Sequence, residues 1–427
     1  MHFRFEKRWC QNSKNEICAG LKVDRTMTKE HLTISRRSLL VGAAVSSLSV
    51  ILEGCAAGQS SSLQIRALQG SIPPQMLNEF RKQAASVKLE YATDRQLEEL
   101  FTLLQTWKRS QSSNNSKKSS EFALPSWVPF FGQSATANPV DLVTLGDHWL
   151  SGAISQGLLA PLESSTVQSG SALLKNPQWK ALVTRNVEGK PDAKGKVWAV
   201  PYRVGTTVIA YRQDIFKQQG LQPPTDWADL WRPELKGRIS LLDQPREVIG
   251  LTLKKLGKSY NTEDLATVPT LAAELRSLHQ QAKLYSSTHY LQPLLLEDTW
   301  VAVGWSEDVL QSGQRSPNVV AVVPSSGTAL WADLWVRPAA NPTIPPAVAE
   351  WLTFCLQPAI AQQISLLTWG ASPLLFGKPL ADLPTELHRA PALFPDPKVV
   401  ETSEFLQPLP KAATVQYEKA WKTMRQL

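Results

Sequence analysis

Hydrophobic positions along this chain switch repeatedly between two periods. Leu63-Gln-Ile-Arg-Ala-Leu68 alternates apolar and polar side chains, the period of a half-buried strand. From Ser71-Ile-Pro-Pro74 the spacing becomes helical to about Ser86, with Met76, Leu77 and Phe80 on one face. Val87–Tyr91 reads as a second strand, and Asp94 as the cap of a periodic helix through Trp107, with Leu97, Leu100, Phe101 and Leu104 on its apolar face. Val140-Asp-Leu-Val-Thr-Leu145 is a third strand, followed by a helix over Asp147–Gly157. Strand and helix in this alternation predict an α/β lobe with a largely parallel sheet.

A pair of apolar runs, Trp198–Tyr202 and Thr206–Tyr211, then leads across to a second lobe. That lobe holds a tryptophan-rich turn (Thr225-Asp-Trp-Ala-Asp-Leu-Trp-Arg-Pro233), a strand at Arg238–Asp243 and a helix at Glu247–Leu256. A helix from about Asp264 to Ala282 and a strand at Trp300–Trp305 complete it. Gly327–Val336 carries the chain back to the first lobe, where a helix spans Val348–Leu367 before a final crossing near Trp369. A last helix starts at Ala412, and no internal repeat is visible. The expected division is a leader at 1–54, a first lobe from 55–205 and 331–369, and a second lobe from 206–330 and 370–427.

Lys108–Asn138 interrupts the pattern. Its first half is rich in Ser, Asn and Lys and cannot bury enough surface to order itself. Its second half, Pro125-Ser-Trp-Val-Pro-Phe-Phe131, is apolar and stiffened by proline. The segment reads as an insertion: a loop packed on its own lobe, a flap near a cleft, or a membrane or partner contact.

Composition narrows the class. The 427 residues are 43% hydrophobic and 19% charged, a globular balance with length enough for two cores. The net charge of +8 overstates the basic character, because residues 1–54 hold nine Lys/Arg against five Asp/Glu, leaving 36 basic against 32 acidic residues in the rest. That excess is too small and too dispersed for nucleic-acid binding. There is no Gly-x-Ser-x-Gly elbow, Walker loop or metal-like histidine spacing, so no enzyme, cofactor or metal is expected. Of the four cysteines, Cys10 and Cys18 precede the leader's apolar core, and Cys355 sits in an apolar run as a buried thiol.

The leader bears on location. Ser35-Arg-Arg-Ser-Leu-Leu40 is a twin-arginine pattern, and the 14 residues Leu39–Leu52 are too few to span a bilayer but fit a signal-peptide core. Leu52-Glu-Gly-Cys55 resembles a lipoprotein cleavage box with Cys55 as the lipidated residue. Met27 opens a compact basic segment and is a candidate start.

The block from Val197 to Gly257, with Arg246-Glu247-Val248 and the later Leu330-Trp-Ala-Asp-Leu-Trp335, resembles the spermidine/putrescine-binding proteins of polyamine ABC importers. The resemblance spans nearly all of residues 63–427. It implies the two-lobed periplasmic-binding-protein fold (type II), a ligand cleft between lobes joined by crossing strands, and a monomer. The protein would bind a polyamine in the periplasm, hand it to an ABC permease, and touch the membrane only by its lipid anchor. Another small cationic or zwitterionic solute, or a non-transport envelope interaction, is the alternative.

Polyamines call for carboxylates at the ammonium positions and aromatic faces along the methylenes. The resemblance places Glu247, Trp305, Trp331 and Asp333 in those roles, with Asp333 the main ammonium partner and Glu247 the second. Gln244 stands where the family has an aspartate, and Trp369 lies beside a family aromatic position. The family's Trp, Glu and Tyr before its Pro-Pro are replaced by Leu68, Gln69, Gly70 and Ser71. The family's small hydroxyl and tyrosine align with Gly146 and His148, while Asp147 and Trp149 are new polar and aromatic candidates; a histidine near a cationic ligand would make binding pH-dependent. Read alone, Glu247 could be a helix N-terminal acid and Trp331-Ala-Asp333 a packed ring beside a solvated acid.

Overall fold

The computed structural model describes residues 61–116, 138–163, 166–167 and 170–426; the leader, Cys55 and the apolar half of the expected insertion lie outside the described residues. Ser61–Leu68 pairs in parallel with both Val87–Asp94 and Leu142–Gly146, the arrangement that the early strand and helix alternation predicts. Leu142–Gly146 in turn pairs antiparallel with Ala329–Pro338. That strand pairs antiparallel with Ala199–Arg212.

Ala199–Arg212 is the element on which both lobes are hung. All 14 of its residues are buried. A strand covered on both faces reads as a continuous apolar run rather than an alternating one, as this one does. Its second half pairs antiparallel with Val301–Trp305 and Val319–Val322. Ile239–Leu241 joins Val301–Trp305 in parallel, and Ala282–Tyr285 extends the order. One hydrogen-bonded path therefore runs through both lobes.

Two main cores flank that path. The first gathers Leu63, Ile65, Phe80, Leu104, Trp335 and Trp351. Within it Phe80 meets Trp351 edge-on at 5.0 Å, and Tyr202 stacks on Trp335 at 4.4 Å. The second gathers Ile209, Trp227, Val248, Leu251, Tyr260 and Leu278. Trp227 is structural there: it is fully buried and donates its indole N–H to the Gly327 carbonyl at 2.9 Å.

The structure departs from the sequence reading in five places. The two apolar runs at Trp198–Tyr211 are one strand, because Arg203, the charge between them, is neutralised inside the sheet and does not end it. The helix expected over Val348–Leu367 is two, Ala347–Cys355 and Pro358–Thr368; Pro358 has no N–H to continue the first and disfavours helical backbone at Gln357. Asp94 is no cap: it ends the second strand and pairs with Arg66. The following helix starts at Leu97, where the Glu99 carboxylate accepts from the N–H groups of Arg95 and Gln96. That helix reaches Ser116, so the polar start of the expected insertion is helical. Finally, Phe376, Leu387, Leu393 and Phe405 pack in the first core, so the second-lobe segment expected from residue 370 begins later; Tyr417 and Met424 of the Lys411–Arg425 helix join the second core.

The helix Pro245–Lys255 sits against Tyr260 so closely that a Cβ on Gly250 would lie 2.0 Å from the ring. Alanine is the better helix former by about 1 kcal/mol, but overpacking costs about 1–3 kcal/mol. Gly250→Ala is therefore expected to lower the urea midpoint; a raised midpoint would show that Tyr260 moves aside freely.

Candidate functional site

Successive residues of a strand face opposite sides, so Arg203, Gly205 and Thr207 share one face of the crossing strand. Their ladder partners are Asp333, Trp331 and Trp305 respectively. The four residue steps from Arg203 to Thr207, at about 3.3 Å rise each, make this row about 13 Å long. Gly205 is required at its centre: a Cβ there would lie 2.2 Å from the Trp331 ring and 2.6 Å from the Ser306 hydroxyl. Trp331 thus lies flat against the strand, with its indole nitrogen buried and without a hydrogen-bond partner in the protein.

Trp305 is held by Tyr290. The Tyr290 hydroxyl accepts from the Trp305 backbone N–H at 3.1 Å and donates to Asp308 at 2.7 Å. The two rings meet edge-on at 5.9 Å. Gly304 leaves room for the tyrosine, since a Cβ there would lie 1.8 Å from its ring.

At one end of the row stands Arg203, 1% exposed. Its Nε donates to Asp333 at 2.8 Å, and its two terminal nitrogens donate to the two oxygens of Glu307 at 3.0 and 2.9 Å. Its guanidinium lies 5.9 Å from the Trp331 ring centroid. Burial alone would lower its pKa; the attraction of Glu307 and Asp333 outweighs that and keeps the group charged. Asp333, expected as the main ammonium partner of a ligand, is therefore already paired with a cation of the protein itself. The sequence reading missed Arg203 and Glu307.

The other carboxylates are differently placed. Asp147 is the first residue of the helix Asp147–Ser155, and its Oδ1 accepts the Ala332 N–H at 3.0 Å. Glu247 lies in the first turn of Pro245–Lys255, on the second lobe. Both are buried, and among the described residues neither has an ion-pair partner within 4 Å. Glu247 Oε2 and the hydroxyls of Thr206 and Thr207 are buried with no hydrogen-bond partner in the protein.

Desolvation pushes both carboxyls up to about 7. The Ala332 N–H and the charge of Arg185 oppose the rise at Asp147, and the charge of Arg246 opposes it at Glu247. Glu247 also feels the charge of Asp147 from the other lobe, and Asp147 that of Asp333. Of the expected residues, Asp147, Glu247, Trp305, Trp331 and Asp333 are thus brought to one neighbourhood.

The rest are less engaged. Gln244 is the residue capping the Glu247 helix, half-buried, with no side-chain hydrogen bond to that helix's N–H groups. His148 is exposed, its ring 5.0 Å from that of Trp149. Trp369 ends the Pro358–Thr368 helix in a left-handed conformation, φ 55°, half-buried against the first core.

A fold of two lobes strung on shared strands, with carboxylates from both lobes converging beside tryptophans, defines a ligand-binding protein. A family model described as bacterial extracellular solute-binding protein matches residues 137–398, and the chain belongs to that family. It is 23% identical over 391 residues to the spermidine/putrescine-binding periplasmic protein of Escherichia coli, covering 92% of this chain and 98% of that protein. It is 29% identical over 271 residues to the putrescine-binding periplasmic protein PotF of Escherichia coli, covering 60% of this chain and 70% of that one. Among solved structures, the spermidine/putrescine ABC transporter substrate-binding protein PotD of Streptococcus pneumoniae superposes with a TM-score of 0.69 at 21% identity, over 86% of this chain and 99% of that one. The expected two-lobed periplasmic-binding-protein fold holds.

The two raised carboxyls fix a sign for stability. The folded state holds more protons than the unfolded one between the ordinary carboxylate range and about pH 7. Their contribution is therefore full at acid pH and is lost as pH rises through about 7, at up to about 1.4 kcal/mol per pH unit for each group. Urea titrations of the ligand-free protein are expected to show wild type losing more stability than Glu247→Gln between pH 5 and pH 8. Parallel pH profiles for the two proteins would remove the raised Glu247.

Proposed function

We propose that this protein is the substrate-binding component of an ABC importer and captures a small organic polycation of the polyamine class. The observation that carries the reading is the pair Asp147 and Glu247: two buried carboxylates, one from each lobe, with no cation in ion-pair reach among the described residues. An unpaired buried carboxylate is costly, and a ligand ammonium between the lobes removes that cost. Each charge-assisted hydrogen bond contributes about 1.5–3 kcal/mol, and each desolvated cation–π contact with Trp305 or Trp331 about 0.5–2 kcal/mol. The names of the relatives support the same ligand class.

In this reading the lobes hinge where Ala199–Arg212 and Ala329–Pro338 cross between them. Closure joins Asp147 to Glu247 through the ligand, and the closed shape is what the permease recognises. The protein works as a monomer in the periplasm, exported by the leader and held to a membrane by lipidated Cys55. The periplasmic relatives support that location, and no helix of the described residues is long and apolar enough to cross a membrane. A Cys55→Ser form is expected in the soluble periplasmic fraction; equal membrane association of both forms would remove the anchor.

Titration calorimetry with putrescine, cadaverine and spermidine tests the ligand class. Binding requires ionised carboxylates, so affinity is expected to rise from pH 6 to pH 8, with protons released on binding at the lower pH. Asp147→Asn and Glu247→Gln are each expected to weaken binding by at least about tenfold, or 1.4 kcal/mol. No binding of any amine by the folded wild type would sink the reading.

A further inference from the structure

We propose that Arg203 is a built-in occupant of one cation position and that it sets the ligand to a short dication, a diamine in preference to a triamine. The inference rests on the amine-binding reading above and adds to it the length and charge that the site accepts.

The row beside the crossing strand has two ends. Glu247 and the Thr207 hydroxyl lie toward one, with Trp305 opposite Thr207. Trp331 lies midway, opposite Gly205. Asp333 and Glu307 close the other end. A cation bound there would need a carboxylate partner, a second acceptor and an aromatic face. Arg203 makes all of these contacts itself: 2.7 Å to Asp333, 2.9 Å to Glu307, and 5.9 Å to the Trp331 centroid. Its Nη1 also reaches the Thr368 carbonyl at 3.4 Å.

Arg203 is anchored in the middle of a strand buried along its whole length, so it does not leave as a ligand would. Its guanidinium carries a permanent charge at this depth, and an incoming ammonium meets like charge at that end. The pairing pattern agrees. Arg203 engages Asp333 and Glu307, and the Tyr290 hydroxyl donates to Asp308. Asp147 and Glu247 are the two buried carboxylates of the site left without an ion-pair partner among the described residues. Each ammonium of a dication meets one of them; a third would be buried beside the Arg203 guanidinium, at carboxylates that Arg203 already holds.

The test is calorimetry at pH 8 on the full exported chain, with putrescine and spermidine as probes. Wild type is expected to bind the diamine at least about tenfold more tightly. Arg203→Gln releases Asp333 and Glu307 for a third ammonium, and should shift the ratio toward spermidine by about tenfold or more. Arg203→Lys keeps the charge and should keep the diamine preference. Removing a buried cation strands its partners, so Arg203→Gln is also paired with Asp333→Asn, which restores balance and should not gain spermidine affinity. If Arg203→Gln does not fold, the wild-type ratio still decides. Equal or tighter spermidine binding by wild type overturns the proposal, as does a ratio that Arg203→Gln leaves unchanged. Failure of every amine to bind wild type would instead remove the ligand class itself.

Discussion

A guanidinium buried in the middle of a sheet must be paired, and that requirement organises this protein. Arg203 is placed by the crossing strand, Asp333 by the returning strand, and Glu307 by the helix that follows Trp305. Three segments far apart in sequence are thereby tied at the point where the lobes meet. Breaking one side of such a cluster typically costs about 3–5 kcal/mol, because the remaining charge stays buried. The ladder alone would tolerate a slipped register; the Arg203 to Asp333 pairing does not, since a shift of one residue would turn the two side chains to opposite faces. With that register fixed, Trp331 falls opposite Gly205 and Trp305 opposite Thr207, and the aromatic row follows.

The lobes and most of their elements were legible in the chain because period and punctuation agree there. Alternation at Leu63–Leu68, the helical spacing after Pro74, and the apolar runs around Val303 and Leu334 each have one packing solution. Legibility failed where a local signal had a tertiary answer. Asp94 looks like a helix cap and is a partner for Arg66, while Glu99 supplies the cap from inside the helix. Arg203 looks like a break between two strands because a charge within an apolar run ordinarily marks exposure; its counter-ions lie 104 and 130 positions away.

The site was legible in part for the same reason. Glu247 and the tryptophans stand in recognisable local blocks, and the structure brings them to one neighbourhood with Asp147. The state of Asp333 could not be read from its own block, because the group that engages it comes from another strand. One signal was present: an arginine flanked by Tyr202 and Val204 in a run that is otherwise apolar demands a buried acid somewhere. Glu307, two residues beyond Trp305, was an unassigned acid beside an assigned site residue.

The order in which the chain is made runs against the order in which its parts fit together. The first core takes residues from Leu63 through Phe405, so no amino-terminal fragment that stops short of Phe405 contains it whole. Ala199–Arg212 is synthesised long before Ala329–Pro338, and until the latter arrives the edge that it will cover has open N–H and C=O groups. Contacts this distant make loop closure costly and assembly slow. A nascent chain stalled before residue 329 would carry an apolar strand with an unpaired border, the part of this molecule most in need of a chaperone's cover.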